Sequence, residues 1–82
     1  RTVDAPAPAN RVRVTERERE ILQTYTLGAT LRETSQKHQI AESTVREHYR
    51  RVVRRYEEAG RPPIGNKAQL LLEFMADGWV RP

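Results

Sequence analysis

From Val14 onward, apolar positions recur at helical spacing in four blocks, separated by glycine, proline or a short polar break. In the first block Ile21, Leu22 and Tyr25 share one face, with Val14 placed as a hydrophobic staple just ahead of it. Thr15 followed three residues later by Glu18 is a capping-box signal. The hydroxyl accepts from an early backbone N–H and the carboxylate reaches back to the cap's own N–H. Gly28 is placed to end this helix, because glycine accepts a left-handed backbone at little steric cost. Thr30 and Glu33 repeat the signal and open a short second helix running to about Gln39. Its positions Leu31, Thr34, Ser35 and His38 offer little apolar surface, and Ile40 in the next turn is expected to plug the core.

The third block begins near Glu42. Placing successive residues about 100° apart puts Val45, Tyr49, Val52, Val53 and Tyr56 on one arc. Arg46, Arg50, Arg51, Arg54 and Arg55 fall on the other, with Glu47 the lone acid among them. This helix is expected over residues 42–59, with Gly60 ending it, since Arg61-Pro62-Pro63 cannot continue a helix. A fourth helix opens at Asn66, paired with Gln69 as a third capping box, carries Leu70, Leu71, Leu72, Phe74 and Met75, and stops at Gly78. Trp79 and Val80 then fold back or pack outward. Residues 1–13 stand apart: prolines alternate with small residues around Pro6 and Pro8, which favours an extended, flexible Ala/Pro linker. The expectation is an all-α, four-helix domain over residues 14–82.

Charge and composition narrow the chemistry. Fifteen Lys+Arg against eleven Asp+Glu give a net charge of +4 in 82 residues. With a pI near 10.1, this suggests a polyanionic partner. The absence of cysteine excludes disulfides, thiolate metal sites and cysteine nucleophiles. His38 and His48 have no carboxylate at a ligand-like offset, so no metal or cofactor is expected. No nucleophile–base pair or carboxylate dyad is apparent, so the chain does not read as an enzyme. No apolar run approaches the ~18 residues of a membrane span, and no signal-peptide pattern is present. A cytoplasmic location is expected. The chain begins with Arg1 rather than Met, so a piece of a longer protein is expected.

The third helix has the form that a DNA-reading helix needs. The major groove of B-DNA admits one α-helix, which must pack one face on its own domain and turn a cationic face to the duplex. Arginine matters here because its planar fork grips guanine O6 and N7, or a phosphate, with two hydrogen bonds. The short capped helix before it is expected to cross the DNA backbone, so that the chain reads as a helix-turn-helix. Thr30 and Arg32 sit at its N-terminus, where backbone N–H groups favour a phosphate, and Thr44 in the first turn of the third helix is another phosphate candidate. Each has a plainer role as a cap or a helix-start residue.

From Val14 to Leu72 the chain resembles the LuxR/GerE-type DNA-binding domain found in quorum-sensing regulators and NarL/FixJ-type response regulators. The residues that carry the resemblance are Val14-Thr15-Glu16-Arg17-Glu18, Ile21-Leu22, Gly28, Thr30-Leu31-Arg32-Glu33 and, most specifically, Ile40-Ala41-Glu42-Ser43-Thr44-Val45-Arg46-Glu47-His48. The resemblance implies base contacts at Arg46, Glu47 and Arg50, and phosphate contacts at Thr30, Arg32, Thr44 and Arg54. Arg51, on the same cationic arc, joins the phosphate group. It further implies double-stranded DNA as partner, a receiver or sensor domain N-terminal to the linker, and a homodimer through the last helix. Leu71, Leu72 and Met75 are the expected dimer residues.

Three departures from the family pattern stand out. Thr34, Ser35 and His38 replace Ile, Ala and Leu; Ala41 replaces the serine that caps the reading helix, a loss that Glu42 or Ser43 is expected to make good; and residues 57–63 form a longer link. His48 matches a family position and is expected to pack at the core edge. A competing reading is a module like region 4 of a sigma factor, or an adaptor, whose main partner is a protein of the transcription machinery. The Thr15/Glu18 and Thr44-to-His48 motifs favour the LuxR type.

Overall fold

A computed structural model describes residues 11–81. Four helices follow in order, α1 (Glu16–Thr26), α2 (Leu31–His38), α3 (Glu42–Glu58) and α4 (Lys67–Ala76), and no strand occurs among the described residues. Both expected capping boxes form in full at α1 and α2: the Thr15 and Thr30 side chains accept from the N–H groups of Glu18 and Glu33, whose carboxylates accept from the cap N–H groups. The third box does not close. Asn66 accepts from the Gln69 N–H at 2.9 Å, but the Gln69 side chain accepts from the Gly65 N–H instead of returning to the cap. The glycine one residue upstream presents an equally reachable donor.

α1 packs against α2, α3 and α4, and α2 packs against α3. The core joins Val12, Val14, Leu22, Val52, Tyr56, Leu70, Phe74 and Val80, with Ile21 and Val45 also fully buried. α2 buries the polar Thr34 and Ser35 toward this body. Ser35 returns its hydroxyl to the Arg32 carbonyl at 2.8 Å, but the Thr34 hydroxyl has no hydrogen-bond partner. Ile40 is only half-buried, so it lines the turn rather than plugging the core.

The polypeptide entering α1 departs from expectation. Residues 11–13 belong to the stretch expected as a flexible linker, yet Val12 is buried and part of the core. Its N–H donates to the Asp77 carboxylate at 3.1 Å and its carbonyl accepts from Trp79 Nε1 at 2.9 Å. The Arg11 guanidinium lies 3.7 Å over the Trp79 ring. The segment is held because Trp79 and Val80 fold back from α4 and present partners to it. The rest of the expected linker, residues 1–10, lies outside the described residues.

Asp77 anchors this junction. Arg61, arriving from the long loop, donates to both of its carboxylate oxygens at 2.8 and 3.2 Å and also pairs with Glu73 at 2.9 Å. Burial works to raise the Asp77 carboxyl, but hydrogen bonds from Arg61 and the Val12 N–H outweigh it and hold the group below its ordinary value. The buried Tyr56 hydroxyl faces this carboxylate without a well-aligned hydrogen bond, and its ionisation is pushed up, first by burial and then by the charge of Asp77. The longer link thus contributes a ligand to the junction that positions α4.

Candidate nucleic-acid interface

α2, a three-residue turn and α3 form a helix-turn-helix. The turn closes as a Schellman motif: Gln39 adopts a left-handed backbone (φ 56°, ψ 48°), its N–H bonds the Gln36 carbonyl, and the Ile40 N–H donates to the Ser35 carbonyl at 2.9 Å. α3 then leaves with Ala41 as N-cap and no side chain bonded to its first turn. Neither Glu42 nor Ser43 supplies the missing cap. The start of α3 therefore carries no side-chain cap.

Burial divides α3 much as the helical projection predicts: on the apolar arc Tyr49 and Val53 are only half-buried, and the cationic arc has one exception. Val45, Val52 and Tyr56 are fully buried, and Arg46, Arg50, Arg51 and Arg54 are exposed. The exposed ion pairs on this face are long. Arg46 stands 3.8 Å from Glu42, while Arg50 and Arg51 stand 3.7 and 3.6 Å from Glu47. Solvated pairs of that length contribute little, so the guanidinium groups are free to exchange them for a ligand. Arg54 makes no ion pair among the described residues. A shallow groove of about 320 Å³ runs along this face, lined by Glu47, Arg50, Arg51, Arg54, Arg55 and Glu58.

The exception is Arg55, counted in the cationic arc on periodicity. It turns toward α1 and forms a two-bond fork on Glu18, Nη1 to Oε1 and Nη2 to Oε2, both at 2.7 Å, with a further bond from Nη1 to the Arg13 carbonyl at 3.1 Å. The hydrogen bonds from Arg55 pull the Glu18 carboxyl down to about 2, against the penalty of burial. Arg55 is therefore a structural clamp between α3 and α1, and four arginines face solvent on α3.

The other sequence-predicted positions are placed as follows. Arg32 and Thr30 are exposed at the start of α2, and Thr44 is half-buried in the first turn of α3. The Thr30 oxygen is used in its capping box, which leaves its hydroxyl proton available to a further acceptor. His38 is half-buried against α1, with Nε2 2.8 Å from Thr24 Oγ1; burial, then Arg17 and Lys37, lowers its pKa. His48 is half-buried and its Nδ1 has no partner. No group of metal-ligating side chains occurs among the described residues, and no helix there is long and apolar enough to cross a membrane.

Periodicity assigned Tyr25 and Tyr49 to the core. Both are instead half-buried, and together with Leu31 they line a groove of about 230 Å³ that also touches Arg46 and Arg50. The helical projection gave no signal for this, because Tyr49 lies inside the apolar arc with Val53 between it and Arg46.

An all-α helix-turn-helix with an arginine-bearing second helix defines a class of DNA-binding regulatory domain. The comparison with protein families is specific: the family described as bacterial regulatory proteins, luxR family, matches residues 13–62. The chain belongs to that family. The matched residues take in α1, α2 and α3 and stop in the long link, before α4. No curated protein and no solved structure matches the chain.

Proposed function

We propose that this chain is the DNA-reading effector domain of a transcription regulator of the response-regulator or quorum-sensing kind. In this reading α3 enters the major groove of double-stranded DNA. Arg46, Glu47 and Arg50 face base edges, while Thr30, Arg32, Thr44, Arg51 and Arg54 hold phosphates on either side. The observation that carries the reading is the exposed face of α3: four arginines, long and weak ion pairs, and no side-chain cap at the helix start. The Ala/Pro stretch joins this domain to a receiver or sensor domain.

Two copies on a two-fold symmetric site meet through α4. Leu72, 63% exposed beside the half-buried Leu71 and Met75, supports this use of the helix. Sedimentation with and without a palindromic duplex reads the dimer directly; one copy per palindrome refutes it.

Titration of labelled duplex against the chain at several salt concentrations tests the DNA reading. Neutralising several phosphates makes log K fall steeply and linearly with log salt. Arg50→Ala is expected to cost about 1–3 kcal/mol on a selected site and to relax base preference there. Affinity indifferent to both salt and Arg50 refutes the proposal.

A further inference from the structure

The groove formed by Tyr25, Leu31, Arg46, Tyr49 and Arg50 has a composition unlike the rest of the basic face. Its walls are two aromatic rings and a leucine, and its rims are two of the guanidinium groups assigned to bases. The rings of Tyr25 and Tyr49 meet edge to face, with centroids 5.7 Å apart and planes at 88°. Tyr25 is held from its other side by Lys67, whose Nζ lies 4.3 Å from the ring centroid and donates to the Ala29 carbonyl at 2.6 Å. The groove is thus preformed by contacts that join α1, α3 and α4, and Leu31, the first residue of α2, completes it.

The rims draw a polyanion to the groove, and its ring faces and the Leu31 side chain offer apolar surface to a group of the duplex. A duplex lying against Arg46 and Arg50 presents one methyl group on its major-groove base edges, the C5-methyl of thymine. We propose that this groove receives the C5-methyl of a thymine beside the bases faced by Arg46 and Arg50, and that Leu31 and Tyr49 are specificity-determining residues for it. The proposal builds on the DNA reading above and names the base group that the apolar part of the face selects. Burying one methyl group is worth about fourfold in Kd.

The test starts from duplexes selected from a random pool by the 82-residue chain. Each thymine of the selected site is then replaced singly by deoxyuridine, which removes only the methyl. One thymine per half-site is expected to show about fourfold weaker binding on replacement, with the other thymines within twofold. In Leu31→Ala and in Tyr49→Ala, shown to be folded by circular dichroism, that difference between thymine and deoxyuridine is expected to shrink below about twofold. Arg50→Ala separates the two levels of the argument. A selected site that depends on Arg50 but contains no methyl-sensitive thymine overturns the groove and leaves the DNA reading standing. A methyl effect that persists undiminished in both Leu31→Ala and Tyr49→Ala also overturns the groove. Failure to select any duplex above background overturns both.

Discussion

Glu18→Gln isolates the clamp between α1 and α3, and its magnitude follows from the geometry. The amide still accepts from the Thr15 N–H, as a glutamine does in a capping box, so the helix start survives. What is lost is the charge and one of the two 2.7 Å bonds from Arg55, because the amide nitrogen that replaces one carboxylate oxygen cannot accept. A carboxyl held at about 2 instead of 4.5 corresponds to roughly 3 kcal/mol at neutral pH. Arg55 is 35% exposed while Glu18 is only 6% exposed, so solvent screens one partner and brings the expected cost to about 2 kcal/mol. In a domain whose total stability is on the order of a few kcal/mol, that is a large share.

The pH dependence carries the sharper signature of the same pair. The folded-state pKa lies below the unfolded one, so the pair's contribution is complete above about pH 4.5 and disappears as pH falls toward about 2. Urea unfolding of both proteins, followed by far-UV circular dichroism from pH 7 to about pH 3, reads the difference. Taking the difference cancels the carboxylates that the two share. The gap between wild type and Glu18→Gln is expected to be about 2 kcal/mol at pH 7 and to narrow steadily below about pH 4.5. A gap under ~0.5 kcal/mol at pH 7, or one of constant size down to pH 3, refutes the account.

Three further outcomes follow from the same structure. Arg54→Ala is expected to lower the salt dependence of DNA binding by about one counterion, whereas Arg55→Met, held under conditions where it is folded, leaves the slope unchanged because its guanidinium already belongs to Glu18. Equal slope changes in the two variants contradict this division of the helix. Gln39→Gly is expected to raise the urea midpoint, by about 1 kcal/mol in stability, since it relieves a left-handed backbone at φ 56°; a lowered midpoint shows that the side chain matters more than the backbone. Thr34→Val replaces a fully buried hydroxyl that has no partner with a methyl group of the same shape. It is expected to stabilise by about 1 kcal/mol, and a loss of thermal stability reveals a partner for that hydroxyl.

The interface is legible in the sequence wherever the deciding interactions are local. Thr15 with Glu18 and Thr30 with Glu33 are three residues apart, so the side chain and the N–H it satisfies lie on the same helical turn whatever surrounds them. The inward set Val45, Val52 and Tyr56 and the outward set Arg46, Arg50, Arg51 and Arg54 follow from the period of the helix alone. With those features in place, the four helices, the helix-turn-helix and the family are determined by the sequence itself.

Tertiary structure decided what happens at the margins of those arcs and at the chain's far ends. A helical projection places Arg55 off the core but does not say that Glu18, 37 positions earlier, will face it. Tyr25 and Tyr49 carry enough apolar surface to count as core, yet the packing of the helices leaves them half-buried in a groove beside Arg46 and Arg50. Residues 11–13 have the composition of a connector, yet Asp77 and Trp79, 65 and 67 positions away, hold Val12 through hydrogen bonds in a buried setting. Such partners are chosen by where the helices come to rest, because a buried charge or N–H must be satisfied by whatever group packing brings within reach.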